Sequence, residues 1–188
     1  EHRASLPVAI RAKPAAWRLT PASPGAYDAF VRAPMVRRPP SAGEVEIETL
    51  AWGLNFKDVL NALDLYPGDP GPLGGECAGR IVAVGEGVDH LHVGDDVMAV
   101  AGGSFASHVI APAALVQRKP ETMSFEEAAS FPIPWVTAAF CLEHVAKLRP
   151  GERVLIHAGA GGVGLAAVRI AQRAGAEVFA TAGSPWKR

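Results

Sequence analysis

The stretch that decides the fold is "RVLIHAGAGGVGLAAVRIAQRAGAEVFATAG" at residues 153–183. It begins with the apolar run "RVLIHAG", which is typical of a strand buried in a parallel sheet. Apolar side chains then recur at helical spacing as far as Gly175, and "EVFATAG" is a second strand. Strand, glycine-rich turn, helix and strand within about 30 residues predict one βαβ unit of a doubly wound α/β domain.

The turn of this unit has the pattern G-x-G-x-x-G, which is typical of dinucleotide-binding sites. A side chain in the turn would keep a pyrophosphate away from the free backbone N–H groups at the helix start, where the helix dipole favours an anion. The residues predicted to contact the cofactor are therefore Gly159, Gly161, Gly162, Val163 and Gly164. The alternative is a tight turn that serves only close packing of the helix on the sheet.

The end of the second strand indicates which dinucleotide would bind. A site for NAD carries Asp or Glu there for the ribose hydroxyls, whereas this strand ends in "TAGS" and is followed by Lys187 and Arg188. A hydroxyl and two cations suit a 2′-phosphate, so we predict NADPH, with Ser184, Lys187 and Arg188 near that phosphate. Alternatively, Ser184 only caps a following helix that has Pro185 at its first position, and the cations face solvent.

Upstream of this unit, short segments alternate between apolar and polar residues. In "EVEIETLAW", Val45 and Ile47 face one way and Glu46 and Glu48 the other, which is the period of a half-buried strand. "WRL" and "ASHVIAP" predict one further strand each, and "CAGRIVAVGEGVDHLHVGDDVMAV" predicts two. Short strands separated by turn signals favour a small antiparallel β-barrel.

A short helix is predicted in "NFKDVLNALDL" at residues 55–65. Its apolar residues recur at helical spacing; they are Phe56, Val59, Leu60 and Leu63. Lys57 and Asp58 are interpreted as a solvated face or a local ion pair.

The period of the pattern changes again before the βαβ unit. Ser124 is followed three residues later by Glu127, a capping-box arrangement that starts a helix, and two prolines break the helical spacing after it. We therefore predict residues 1–130 as one domain and residues 131–188 as the N-terminal part of a nucleotide-binding domain. A complete domain of that kind takes on the order of 120–150 residues. Since the sequence also lacks an initiator Met, we expect it to be a fragment of a longer protein.

Length, charge and cysteine content limit the possible functions. The chain has 188 residues, a net charge of −1 and 49% hydrophobic residues, which is typical of soluble globular domains. Such a charge balance gives no footprint for nucleic acid or an anionic membrane, and no apolar run approaches the roughly 20 residues that cross a bilayer. The N-terminus lacks the pattern of a secretory signal and there are 2 cysteines, so we expect a reducing, cytoplasmic environment.

Five blocks of the sequence, in order, resemble the enoyl reductase domains of modular polyketide synthases and animal-type fatty acid synthases, within the medium-chain dehydrogenase/reductase superfamily. The blocks are "GLNFKDVLNALDLYPGD", "GGECAGRIVAVGEGV", "VGDDVMAV", "SFEEAASFPIPWVTAAF" and "LRPGERVLIHAGAGGVGLAAVRIAQRAGAEVFATAGSPWKR". The resemblance implies an α/β fold in which a GroES-like β-barrel for the substrate precedes a Rossmann cofactor domain, of which only the first half is present here. It also implies that NADPH reduces the double bond of an enoyl thioester held on an acyl carrier protein, beside neighbouring synthase domains.

The same resemblance assigns roles to three further residues. Tyr66 in "LDLYPGD" matches the tyrosine considered as the proton donor to the α-carbon, and a phenol is protonated at neutral pH. Asn55 in "LNF" matches an asparagine near the nicotinamide, and Thr137 a threonine on the helix that faces the cofactor. The alternatives are a loop aromatic packed on the barrel and ordinary loop or helix hydrogen bonding.

No metal site is predicted. The zinc-dependent branch of the superfamily has a Gly-His-Glu ligand segment and a four-cysteine lobe, whereas this chain has Gly75-Glu76-Cys77 and too few cysteines. His90 and His92 are interpreted as surface residues, and His157 as packing beside the glycine turn.

Other functions remain open on the sequence alone. They are a free-standing quinone reductase of the same superfamily, a reductase that closes a cyclopropane, and a truncated, non-catalytic structural domain. The sequence does not determine the acyl chain of the substrate, the stereochemistry or the oligomeric state.

Overall fold

The computed structural model describes residues 16–23, 25, 29–184 and 187. The strands of the first part of the chain are β1 (Trp17–Pro21), β2 (Phe30–Pro34), β3 (Glu44–Gly53), β4 (Glu76–Val84), β5 (Asp96–Val100), β6 (His108–Pro112) and β7 (Val116–Arg118). Five of them form one antiparallel sheet in the order β6-β3-β4-β5-β7, and β1 and β2 form a hairpin. The Leu19 N–H of β1 donates to Phe105 O at 2.7 Å, which links the hairpin to the segment before β6.

The alternation in β3 builds the core of this sheet. Val45 and Ile47 are fully buried and lie in one apolar cluster with Ile81 of β4 and Val97 of β5. The strands predicted upstream of the βαβ unit are confirmed, whereas the sequence pattern predicts neither β2 nor β7. β2 has mostly exposed side chains and β7 has three residues, so neither carries a clear period-two signal.

The helix α1 (Phe56–Ala62) forms where it is predicted, but its buried face differs. Phe56 is 75% exposed and Val59 is 37% exposed, whereas Asp58 and Ala62, four residues apart, are buried. The interpretation of Asp58 as part of a solvated face is therefore wrong. Its carboxylate is buried because it accepts two backbone hydrogen bonds, from the N–H groups of Asn55 and Gly74.

Two helices lead into the second part of the chain. α2 (Phe125–Ala129) has the predicted capping box, in which the Glu127 N–H donates to Ser124 Oγ at 3.1 Å and the Ser124 N–H to Glu127 Oε2 at 2.8 Å. α3 (Pro132–Ala139) begins at a proline and continues as a π-helical segment, Phe140–Val145. Among the described residues, no helix has the length and apolar character needed to cross a membrane.

The predicted βαβ unit is present as β8 (Arg153–Ile156), α4 (Gly162–Arg173) and the parallel strand β9 (Glu177–Ala180). Ile156 packs with Ala166, Ile170 and α3 on one side of this two-stranded sheet. On the other side Leu155 is 58% exposed and Phe179 is 49% exposed. In the part of the chain that the structure describes, β8 is therefore covered on one face and open on the other.

Candidate active site

The glycine-rich turn between β8 and α4 presents backbone donors to the outside. The first hydrogen bond of α4 runs from the Leu165 N–H to Gly161 O at 2.8 Å. The N–H groups of residues 162–164 thus occupy the positions at a helix start that have no partner within the helix. Gly161, Gly162 and Val163 are exposed, the last by 44%. This is the arrangement that the phosphate-binding prediction requires.

The four glycines of the turn are not equivalent in space. A Cβ at Gly159 would lie 2.8 Å from Ala180 Cβ, and one at Gly164 would lie 2.8 Å from Gly159 Cα. A Cβ at Gly161 would meet Ala158 O at 3.3 Å, and one at Gly162 would meet Pro134 Cγ at 3.7 Å. Close packing therefore accounts for Gly159 and Gly164 but requires no glycine at Gly162 and at most a small adjustment at Gly161.

Thr181, at the end of β9, holds the beginning of the turn. Its hydroxyl accepts from the Ala158 N–H at 3.2 Å and lies 3.3 Å from His157 Nδ1, and its carbonyl accepts from the Gly159 N–H at 2.8 Å. His157 is exposed, so its interpretation as a packed residue is wrong. The place where a site for NAD has a carboxylate is thus taken by a hydroxyl that fixes the turn.

The residues predicted around a 2′-phosphate are only partly within the described structure. Ser184 is half-buried, and its Oγ has no hydrogen-bond partner among the described residues. Its carbonyl accepts from the N–H of Lys187, an exposed residue, at 3.0 Å. Arg188 and Pro185 lie outside the described residues. The phosphate site and the helix cap both remain predictions.

Asn55 is held at both its backbone and its side chain by buried carboxylates. It is the N-cap of α1, and its backbone N–H donates to Asp58 Oδ2 at 3.0 Å. The other oxygen of Asp58 accepts from the Gly74 N–H at 2.8 Å. The Asn55 amide donates from Nδ2 to Glu76 Oε1 at 2.9 Å. Asp58 and Glu76 are 5% and 1% exposed.

Glu76 is the site residue that the sequence reasoning missed, because it treated this position only as the place of an absent zinc ligand. Its second oxygen, Oε2, accepts from the Ile133 N–H in the first turn of α3 at 2.7 Å. Burial raises the pKa of this carboxyl, the two hydrogen bonds oppose that shift, and the nearby charge of Asp58 adds to it. The signal in the sequence was an acidic residue at the start of an otherwise small and apolar strand, "ECAGRIVAV".

Tyr66 and Thr137 lie on the elements that flank this group. Tyr66 follows α1 and is half-buried, with Lys57 Nζ 5.5 Å from the centroid of its ring. Thr137 is exposed on α3, the helix whose first turn Glu76 holds. Pro134 of the same helix lies beside the glycine-rich turn, because its Cγ would be 3.7 Å from a Cβ at Gly162. The structure thus connects Asn55, through Glu76 and α3, to the glycine-rich turn.

An apolar cleft of about 500 Å³ lies beside α1. Its lining is almost entirely hydrocarbon and comes from β1, β2, α1 and the loops around them. The residues include Leu19, Phe30, Leu54, Val59, Leu63 and Phe105. A cleft of this size and character suits an acyl chain or another apolar group.

The other polar candidates do not converge. Within the described residues, no group of three His, Cys, Asp or Glu side chains is placed to hold a metal ion. His90 and His92 are exposed, and the latter lies with its Nδ1 3.2 Å from an Arg118 nitrogen. Cys77 is fully buried, which raises the pKa of its thiol to about 12.

Comparison with known proteins identifies the type of domain. Residues 41–121 match the family model of the alcohol dehydrogenase GroES-like domain. The chain is 45% identical over 178 residues to the pikromycin polyketide synthase component PikAII of Streptomyces venezuelae. The match covers 92% of this chain and 5% of that protein.

Solved structures show the same architecture. The crystal structure of CurK enoyl reductase has a TM-score of 0.84 and 48% identity, and the match covers 92% of this chain and 55% of that one. The structure of mycobacterial Rv1454c complexed with NADPH has a TM-score of 0.77 and 31% identity, with coverages of 91% and 53%. Quinone oxidoreductases are also among the similar structures. The chain thus spans about half of these structures and a small part of the synthase.

Proposed function

Because the chain belongs to the medium-chain dehydrogenase/reductase superfamily and, within it, to the enoyl reductases of polyketide synthases, we propose that it reduces the double bond of an enoyl thioester with NADPH. The observation that carries this proposal is the exposed glycine-rich turn, which offers free N–H groups at a helix start. Packing explains only part of its glycine content. A dinucleotide that lies along this turn accounts for the rest.

The residues of the turn suit NADPH. The exposed N–H groups of Gly162 and Val163 would bind the pyrophosphate, with Gly161 leaving room for its close approach. Ser184, Lys187 and Arg188 would bind the 2′-phosphate, because a hydroxyl and two cations complement a dianion. Asn55 and Thr137 would contact the nicotinamide end, since both lie on elements that Glu76 connects to the turn.

The chemistry divides between the cofactor and the chain. When bound, NADPH supplies the hydride that adds to the β-carbon of the thioester. Reduction at the β-carbon would leave the negative charge on the α-carbon and the thioester oxygen, so the α-carbon would need a proton. Tyr66 would then donate its phenolic proton to the α-carbon, and the positive charge of Lys57, whose Nζ lies 5.5 Å from the centroid of the ring, would favour the phenolate that remains.

The apolar cleft beside α1 would take the acyl chain of the substrate. Its lining of Leu, Val and Phe side chains favours a hydrocarbon over a charged group. The thioester is proposed to arrive on an acyl carrier protein, and the chain to work beside neighbouring synthase domains in the cytoplasm. In this arrangement residues 1–130 form the substrate domain and residues 131–188 begin the cofactor domain.

Substrate and cofactor preference in the full-length protein test the proposal. We expect oxidation of NADPH with a crotonyl thioester, a Michaelis constant for NADPH well below that for NADH, and little turnover of a quinone. A clear preference for a quinone would favour the oxidoreductases of that name, and a preference for NADH would contradict the cofactor assignment. A non-catalytic structural domain would show no saturable binding of NADPH.

The proton donor is tested separately with Tyr66→Phe. Removing one hydroxyl keeps the ring and its packing, so we expect the reduction rate to fall by roughly 100-fold or more. The configuration at the α-carbon of a substituted substrate should also lose its definition. If both the rate and the α-carbon configuration are unchanged, Tyr66 is not the donor.

A further inference from the structure

Glu76 lies in a buried space beside two glycines, Gly53 and Gly75, where a larger residue would not fit. The carboxylate is 1% exposed and lies between strand β3, the N-cap of α1 and the first turn of α3. A Cβ at Gly53 would lie 2.5 Å from Glu76 Cγ. A Cβ at Gly75 would lie 2.8 Å from Ile133 Cδ1 and 3.9 Å from Asn55 Nδ2. Two neighbouring glycines thus let the carboxylate, the amide and α3 come together.

The carboxylate determines how the Asn55 amide is turned. An ionised carboxylate only accepts hydrogen bonds, so it faces the NH₂ end of an amide and not its carbonyl. With Nδ2 of Asn55 donating to Glu76 Oε1, the carbonyl oxygen Oδ1 is left to accept from another group. The backbone of Asn55 cannot swing away, because its N–H is held by Asp58.

The same carboxylate holds the helix on the cofactor side. Its Oε2 accepts from the Ile133 N–H, one of the donors at the start of α3 that have no partner within the helix, and a negative charge there complements the helix dipole. α3 carries Thr137 and places Pro134 beside Gly162 of the glycine-rich turn. One side chain therefore sets the orientation of the amide and the position of the helix together.

We propose that Glu76 is a positioning residue for the nicotinamide end of the cofactor. It turns the Asn55 amide so that Oδ1 accepts a hydrogen bond from a hydroxyl or amide N–H of the nicotinamide nucleoside, while it holds α3 against the same region. This inference rests on the proposed function, since it needs NADPH as the ligand.

The substitution Glu76→Gln tests it in the full-length protein. The new side chain has nearly the same shape but only one acceptor oxygen, which the fixed Ile133 N–H takes. Its NH₂ then faces Asn55, whose amide must turn over and present NH₂ where Oδ1 had been. We expect the dissociation constant of NADPH, measured by fluorescence titration, to rise about tenfold. The dissociation constant of adenosine 2′,5′-bisphosphate, which lacks the nicotinamide end, should stay within twofold.

A second variant restores the pairing. In the double variant Asn55→Asp with Glu76→Gln, the new amide donates to one carboxylate oxygen and leaves the other as the acceptor toward the ligand. We expect most of the NADPH affinity to return. If the single variant does not fold, the double variant alone decides, because restored affinity supports the pairing and lost affinity overturns it.

The control is Glu46→Gln, a buried glutamate of β3 that pairs with Arg37 away from the cleft. It should leave both dissociation constants unchanged. Three results would overturn the inference: unchanged NADPH affinity in Glu76→Gln, equal weakening of both ligands, or no recovery in the double variant. Wild-type protein that binds no NADPH would overturn the proposed function, and the inference with it.

Discussion

Alanine substitutions at three glycines separate a dinucleotide site from a turn that serves packing alone. At Gly161 the backbone has φ −85° and ψ 168°, which alanine adopts freely, and the added Cβ would lie 3.3 Å from Ala158 O. Gly161→Ala should therefore reduce the free energy of unfolding by no more than about 1 kcal/mol, including the weaker N-cap. At Gly164 the Cβ would press on the backbone of residues 158 and 159. Gly164→Ala should cost about 1–3 kcal/mol.

Gly161→Ala should therefore cost little stability but should weaken the binding of NADPH strongly. A methyl group at Gly161 stands where the pyrophosphate must approach the helix start, so at least one charge-assisted hydrogen bond would be lost. Such a bond contributes about 1.5–3 kcal/mol, which corresponds to a roughly 10- to 150-fold rise in the dissociation constant of NADPH. Urea titration measures the stability change, and fluorescence titration with NADPH measures the affinity.

Gly102→Ala is the matched control, because a Cβ there would meet nothing within 4 Å and the backbone does not have a positive φ. It should change neither quantity beyond about 0.5 kcal/mol. If Gly161→Ala binds NADPH within twofold of the wild type, no pyrophosphate lies on this turn. If it destabilises the protein as much as Gly164→Ala does, Gly161 also serves packing, and the glycine content of the turn is no evidence for a dinucleotide.

Three further predictions concern buried polar groups. Asp58→Asn should lower the free energy of unfolding, measured by urea titration, by about 1–3 kcal/mol, because one of the two backbone N–H groups loses its acceptor. Asp69→Asn at an exposed turn is the control and should change it by less than about 0.5 kcal/mol. In native protein a maleimide should label the exposed Cys141 and spare Cys77, whose burial raises its pKa to about 12; equal labelling would contradict the buried position. The pKa of Glu46 is lowered, chiefly by the hydrogen bond from its arginine partner, so its stabilising effect is present above pH 4.5 and is lost as pH falls below that value. The difference in the free energy of unfolding between wild type and Glu46→Gln should therefore shrink as pH falls below 4.5. A difference that does not change with pH would contradict the lowered pKa of Glu46.

The sequence predicts local features of this fold well. Strand β3, the capping box of α2 and the βαβ unit each depend on residues within a few positions of one another, so their periodicity and turn signals are visible in a short window. The glycine-rich turn belongs to the same class, since the helix start and the turn are contiguous. Each of these elements forms where the pattern predicts it.

The polar part of the site is not local, and the sequence predicted it poorly. Asn55 and Glu76 are 21 residues apart, and Glu76 and Ile133 are 57 apart. A helical pattern ranks side chains by polarity, so it assigned Asp58 to solvent and Phe56 to the interior, the opposite of what the structure has. Burial of a carboxylate becomes favourable only when backbone donors from other elements reach it, and no window of sequence contains that information.

The environment of Glu76 is costly for stability. Its pKa is raised, so the folded protein holds the proton more tightly than the unfolded chain does, and the free energy of unfolding falls as pH rises from 4.5 through the higher folded value. The ionised group therefore destabilises the fold, although two hydrogen bonds reduce the penalty. Gly53 and Gly75 add to the cost in stability, because neither position can have a side chain without a clash. If Glu76 only held strands together, there would be no reason to keep a buried carboxylate that lowers stability, or the two glycines that make room for it. The orientation of Asn55 toward a ligand gives a physical reason for keeping it, and the nicotinamide-specific loss of affinity in Glu76→Gln is the observation that this reason requires.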